Sequence, residues 1–353
     1  MIKTELCDML GIKYPIIQAG MGPWATNSLA IATANAGALG IISTIGIGYG
    51  IVQTAAPKEL RDTFGEGTAY EVLRRIIEYV RDGTRESKGI IGLNIPLAQE
   101  FGMVLDELFK AAVDAREEDS EIEERMRVII TSAGNPRPWA DIIKRTGVKW
   151  FHVAPSVYHA KKAESAGADA VIASGHEGGG HVAFDPIHTM VLLPAVVKAV
   201  DKPVIGTGGF CDGRTFAAAL SLGAVGIQMG TRFINTKESD FVQMWQDYIL
   251  KSEMRDTVTG ISVFGPARYL KNAYSLKVTE MMAEGYDAKY GDGVALEMDG
   301  ISKSLEGKDQ ENSCLFGGEV AGRIDDIPTV KEFLERVTKD AEEVIRRLPG
   351  MID

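Results

Sequence analysis

The feature that most constrains this chain is a series of eight short, continuously apolar runs separated by segments of helical periodicity. Tyr14–Gln18, Ala38–Ser43, Gly89–Ile95 and Arg127–Gly134 are the first four, and Val148–Ala154, Ala168–Ser174, Pro203–Gly209 and Ala224–Gly230 complete the set. A strand with one wet face alternates apolar and polar residues. Runs that do not alternate need cover on both faces, which a parallel sheet flanked by helices supplies. Between the runs apolar residues recur at spacings of three and four, as at Ala160, Ala163 and Ala166. A further helix is expected over Ser28–Ala36. Strand and helix repeated through eight units close best as a (β/α)8 TIM barrel, and strand count alone leaves a doubly wound sheet as the alternative.

The units are uneven. Gly46–Gly89 is a long connection in which a helix is expected over Ala69–Val80. From Arg255 to Arg323 the alternation stops, and the stretch is rich in Gly, Met and charge. The expected division is therefore a barrel of residues 1–254 plus 324–353, with residues 255–323 inserted after the eighth strand as a cap or lid. A final helix over Thr329–Arg347 carries an apolar stripe (Val330, Phe333, Leu334, Val337, Ala341) suited to the barrel exterior.

Charge and cysteine usage narrow the partners. With 38 Lys and Arg against 49 Asp and Glu the net charge is −11, which argues against nucleic acid and anionic membranes. Part of the acidity is a dense run from Glu117 to Glu124, expected as a solvated helix extension. Three widely spaced cysteines give neither a disulfide framework nor a zinc pattern. The first residues lack the apolar core of a signal peptide, and no apolar stretch reaches the roughly 18 residues of a membrane span. A cytoplasmic enzyme with a small-molecule substrate is expected, with a homodimer left open.

In a barrel the chemistry sits on the loops that follow the strands. The loops after the seventh and eighth runs contain Gly208–Gly209 and Gly230–Thr231, preceded by Gln228. These are the two loops that typically hold a phosphate, and glycine lets backbone N–H groups approach an anion. Tight βα turns favour glycine as well, so spacing alone leaves both readings open. Gly46, Gly48 and Gly50 lack the third glycine and distal acid of a dinucleotide fingerprint. The loop after the sixth run, SGHEGGGH, places His176, Glu177 and His181 among glycines. Histidine can give or take a proton near neutral pH. The H-E-x-x-x-H spacing departs from a helical zinc motif, so no metal is expected. His152, His159 and His188 are read as structural or surface residues.

Several segments together carry a family resemblance: PIIQAGM, GLNIP, TSAGNP, VAPSV, GADAVIASGHEGGGH, PVIGTGGFCDGR and IQMGTRF. The chain resembles the nitronate monooxygenase (2-nitropropane dioxygenase-like) family of FMN-dependent barrels, which is similar to FMN-dependent enoyl-acyl-carrier-protein reductases. The likeness spans nearly the whole chain. It implies that Asn94 and the backbone at Gly20–Met21 contact the isoalloxazine of FMN. It also implies that Ser174, Gly179 and Gly180 lie along the ribityl and phosphate region. Gly208, Gly209, Gln228, Gly230 and Thr231 are implied to hold the phosphate, and His181 to be the catalytic histidine. Ser174 departs from the family, which often has Gln there, and His176 has no matched role.

The first expectation for function is a nitronate monooxygenase that oxidises alkyl nitronates with O2, His181 serving as acid or base. The second is an NAD(P)H-dependent reductase of a quinone or an enoyl thioester, the nicotinamide visiting the flavin transiently. For the latter the cap offers only Arg268 and Lys271 toward an acidic carrier protein. A passive flavin-binding protein is the third.

Overall fold

The computed structural model describes residues 2–23, 26–48, 50–54, 58–98, 102–288 and 292–352. The eight apolar runs become eight parallel strands: β1 (Ile16–Gln18), β2 (Gly40–Ser43), β3 (Ile91–Pro96), β4 (Met126–Ser132), β5 (Lys149–Ala154), β6 (Ala170–Ser174), β8 (Val204–Thr207) and β9 (Gly226–Met229). Each pairs with the next in chain order, β6 with β8, and β9 returns to β1. A parallel bridge between Ile17 and Leu39 joins the first strand to the approach of the second and closes the ring. The doubly wound alternative is thereby excluded.

Burial explains why the runs do not alternate. Ile17, Ile41, Val128, Ile130, Phe151, Ile172 and Ile205 point into the barrel and form one apolar cluster. Their chain neighbours Ile16, Ile42, Ile129, Trp150, Val171 and Val204 point outward, into the layer between strands and helices. Both faces are dry, so both parities are apolar. Truncating a fully buried residue such as Phe151 costs about 3–5 kcal/mol. A short helix, Glu5–Leu10, is absent from the sequence reading. It places Leu6 and Leu10 in the interior cluster and plugs one end of the barrel.

Outside the strands, the helices Asn27–Ala36, Ala69–Gly83, Val157–Ala166 and Val330–Arg347 form at the expected positions. Part of the Gly46–Gly89 connection lies outside the described residues. The acidic run does end one helix, Gly102–Glu118, and opens another, Ser120–Arg125, but it is not merely solvated. Glu118 pairs with Arg74 at 2.7 Å, Glu121 with Arg85 at 3.1 Å and Arg125 at 2.9 Å, and Asp119 with Arg81.

After β9 the chain builds a second structure over the barrel mouth. An antiparallel hairpin, β10 (Thr257–Ser262) and β11 (Gly265–Leu270), is followed by helices Ala273–Ala283 and Gly293–Glu306. Tyr269, Leu270, Tyr274, Ile301, Leu305 and Leu315 belong to a second apolar cluster beneath it. The hairpin is tied to the barrel by a two-residue strand, β7 (Gly180–His181), whose residues pair with Arg268 and Ala267 of β11. Among the described residues no helix is long and apolar enough to cross a membrane.

Candidate active site

A cavity of about 510 Å³ opens at the carboxyl ends of the strands, between the barrel and the hairpin. Every residue that the sequence assigns to the flavin or to catalysis lines it. Gly20, Met21 and Asn94 follow or end β1 and β3, Ser174 ends β6, and Gly179, Gly180 and His181 stand in the loop beyond. Gly208 and Gly209 follow β8, Gln228 lies on β9, and Gly230 and Thr231 follow it.

The glycines have distinct physical reasons. Gly208 and Gly209 sit at φ +88° and +85°, in the left-handed region that side chains disfavour. A Cβ on Gly208 would also lie 2.5 Å from the Gly175 carbonyl, whereas one on Gly209 meets only ordinary contacts. At Gly20 a Cβ would fall 2.3 Å from that of Asn94, so the glycine lets Asn94 fill the space beside β1. Gly179 packs against the chain after β11, where a Cβ would meet the Gly318 nitrogen at 2.5 Å. Thr231 Oγ1 accepts the Gly318 N–H at 2.9 Å, so its own proton remains available to a ligand. As N-cap and first residue of the helix Thr231–Ile234, Gly230 and Thr231 carry N–H groups without an intrahelical acceptor.

Gln228 supplies a test of what the cavity can hold. Its side chain is buried, yet Oε1 has no hydrogen-bond partner among the described residues. A buried carbonyl oxygen left unpaired costs about 1–3 kcal/mol. An occupant rich in hydroxyl or N–H donors would relieve that cost, and the adjacent glycine turns would accept its phosphate. A phosphorylated flavin fits this donor set.

The loop containing His181 is braced throughout. Glu177 accepts the Thr189 N–H and hydroxyl at 3.0 Å, and so caps the helix Thr189–Ala199. The His176 carbonyl accepts both Nε and Nη2 of Arg268 at 3.1 Å. Its imidazole lies edge-on to His188, and burial followed by the nearby Arg268 charge holds its pKa below the usual value. Arg268 is itself buried and paired with Glu319 at 3.1 Å, which removes it from any carrier-binding surface. His152 accords with a structural role. It bonds the Thr131 hydroxyl at 2.7 Å, and burial lowers its pKa to about 4.

His181 is held differently. It lies between the rings of Phe264 and Phe316, at 5.1 Å and 5.8 Å, and its Nε2 is 3.0 Å from the Ser262 hydroxyl. Ser262 donates in turn to Oε1 of Glu297 at 3.1 Å, and the Val263 N–H donates to Oε2 at 2.8 Å. Glu297 is only 3% exposed, and that burial pushes its pKa upward against the two hydrogen bonds. Ser262 ends β10, and Glu297 comes from the helix Gly293–Glu306. Neither was singled out from the sequence. A signal for Glu297 was present: it shares the buried face of its helix with Gly293, Gly300, Ile301 and Ser304. A carboxylate in that register is seldom without a task.

Comparison with known proteins bears on this arrangement as a whole. The family model for nitronate monooxygenase matches residues 3–340. A Rhodococcus jostii protein, (3aS,4S,5R,7aS)-5-hydroxy-7a-methyl-1-oxo-octahydro-1H-indene-4-carboxyl-CoA dehydrogenase, is 30% identical over 99% of this chain and 98% of its own. A probable nitronate monooxygenase of Staphylococcus aureus is 33% identical over 77% of this chain and 79% of its own. The solved structure of FabK from Thermotoga maritima superposes with a TM-score of 0.82 at 34% identity, covering 100% of both chains. The chain belongs to the nitronate monooxygenase family and is a flavin-dependent oxidoreductase of that family.

Proposed function

We propose that the cavity holds FMN and that the enzyme reduces the carbon–carbon double bond of an α,β-unsaturated thioester at the expense of NAD(P)H. Gly208, Gly209, Gly230 and Thr231 would hold the phosphate, Ser174, Gly179, Gly180 and Gln228 the ribityl chain, and Asn94 with Gly20–Met21 the ring. Bound there, FMN supplies two-electron exchange between a nicotinamide and an acceptor carbon.

The observation that carries the reading is the His181–Ser262–Glu297 chain. A hydroxyl has one proton. With Glu297 ionised, Ser262 gives that proton to the carboxylate and accepts from His181, which fixes hydrogen on Nε2. Nδ1 is then the atom that takes up and gives the exchanged proton. Reduction of an unsaturated thioester adds a proton at the carbon next to the carbonyl and a hydride equivalent at the next carbon. A supported imidazole supplies the first. A nitronate arrives already deprotonated and makes little use of such support. Phe264 and Phe316 pack their rings against the imidazole, and such apolar cover strengthens the polar contacts beside it. The full-length likeness to a carboxyl-CoA dehydrogenase supports the same substrate class.

Oxidation of alkyl nitronates with O2 is the second reading, favoured by the family match over residues 3–340. The FMN-loaded protein, mixed with crotonyl-CoA and NADH or NADPH, is expected to consume nicotinamide and thioester in equal amounts. Oxygen uptake with propionate-3-nitronate and no loss of thioester would overturn the first reading in favour of the second.

A further inference from the structure

Beside the mouth of the main cavity lies a groove that this chemistry does not use. One wall is a face of the helix Val157–Ala166, where Tyr158, Lys161, Lys162 and Ser165 follow the i, i+3, i+4, i+7 spacing that aligns side chains. The other is the turn after β4, with Asn135 and Arg137. Together they enclose about 410 Å³. Arg137 is held across the groove, Nη2 donating to Ser165 Oγ at 3.2 Å. Tyr158 is 70% exposed, with its ring edge-on to His159 at 5.3 Å. Asn135 and Lys162 line both cavities, so the groove runs into the active-site mouth.

The charge here runs against the rest of the molecule. The chain has a net charge of −11, and cations such as Arg74, Arg81 and Arg85 are spent on neighbouring acids. Among the described residues Arg137, Lys161 and Lys162 make no ion pair. Two ammonium groups and a guanidinium fork around one space match a phosphomonoester dianion. The bare face of Tyr158 offers a stacking surface for a purine. A nitroalkane or its nitronate has nothing to place there.

We infer that this groove binds the adenosine phosphomonoester of a substrate whose reactive end enters the main cavity. Coenzyme A carries that group at the 3′ position and NADPH at the 2′ position. Assignment to coenzyme A rests on the thioester reading above; the groove's affinity for the phosphomonoester does not.

The test uses the FMN-loaded enzyme, the double variant Arg137→Ala/Lys161→Ala, and calorimetric titration with 3′,5′-ADP and 2′,5′-ADP. Neither residue was placed in the flavin or proton machinery, so flavin absorbance and Tm should match wild type. Binding of 3′,5′-ADP is expected to weaken at least tenfold in the variant and to weaken with salt in wild type. In turnover, KM for crotonyl-CoA should rise about tenfold, while that for the crotonyl thioester of N-acetylcysteamine, which lacks the nucleotide, stays put. If only 2′,5′-ADP shows the loss, the groove holds NADPH and the coenzyme A assignment falls. If neither nucleotide binds, or both bind wild type and variant equally, the groove is not a phosphomonoester site. Absence of turnover with both thioesters in wild type would sink the thioester reading, and the titration would still decide the groove.

Discussion

Replacing Glu297 with Gln removes one charge from a buried site and almost no volume. The wild-type carboxylate receives the Ser262 hydroxyl and the Val263 N–H and keeps 3% of its surface exposed. Gln retains a single carbonyl oxygen. If that oxygen keeps the Val263 N–H, the amide NH2 faces Ser262 and turns the hydroxyl proton toward His181. Nδ1 then carries the hydrogen that wild type places on Nε2. A hydrogen bond to a charged group is worth about 1.5–3 kcal/mol against about 0.5–1.5 for a neutral one, a difference of about 1–1.5 kcal/mol. Transmitted to the transition state for proton transfer, that is about tenfold in kcat/KM.

The same substitution should leave the fold intact. Burial raises the folded-state pKa of Glu297 above its unfolded value, so the native protein holds its proton more tightly. This contribution favours the fold at low pH and is lost as pH rises through the raised pKa. Gln never ionises and escapes that loss, which offsets the weaker hydrogen bonds at neutral pH. Tm near pH 7 is therefore expected to move by no more than about 3 °C. The assay is kcat/KM for crotonyl-CoA from pH 5 to 9, beside thermal melting. Wild type should lose activity toward low pH as Glu297 becomes neutral, at a pH above the ordinary carboxylate range, and the variant should lack that limb. In a His181→Ala background, Glu297→Gln should cost nothing further, because its effect passes through the imidazole. An unchanged rate and pH profile in the single variant would refute the relay, and full additivity in the double variant would place Glu297 in some other role.

His181→Ala should retain flavin and near-normal melting while kcat/KM with a thioester falls about 10²–10⁴-fold; loss of flavin together with activity would make the residue structural. With a preformed nitronate the loss should be smaller, read by oxygen uptake. Gly208→Ala combines a disfavoured φ with a Cβ placed 2.5 Å from the Gly175 carbonyl, so flavin content should fall sharply, and undiminished occupancy would place the phosphate elsewhere. Gly209→Val should also empty the site, through backbone strain at φ +85° and not through a clash, with the barrel still folded by circular dichroism. Denatured holoprotein should release FMN; chromatography showing FAD would refute FMN as the cofactor.

What the sequence made legible follows from how far each signal travels along the chain. A barrel strand is local: Ile41 and Ile42 face opposite apolar layers, and two adjacent letters report both. The glycine turns after β8 and β9 are local too, because φ belongs to one residue. The helix Glu5–Leu10 was missed because six residues carry little periodicity, and Leu6 and Leu10 gain their meaning only beneath a closed barrel. The acidic run reads as bare surface because most of its arginine partners lie far back in the chain, 44 positions between Arg74 and Glu118.

The proton chain at His181 was the least legible part, although its first member stood out from the start. His181 and Ser262 are 81 positions apart, and Ser262 and Glu297 another 35. Serine and glutamate are common residues, and neither sits in a motif. What joins them is the pairing of His181 with Ala267 in β7 and β11, which swings the hairpin over the cavity and brings the end of β10 to the imidazole. Pairing of a two-residue strand leaves no pattern in the letters, since two positions cannot show a period. Glycine content made the loop after β6 look free to bend toward a ligand. In the fold those glycines serve close packing: Gly179 against Gly318, and Gly175 under the Thr189 hydroxyl. The loop is therefore a braced platform, and the histidine it presents is oriented by residues that follow β9. On the proposed reading, changes in that segment would retune proton transfer while the proposed flavin cradle on the barrel stays as it is.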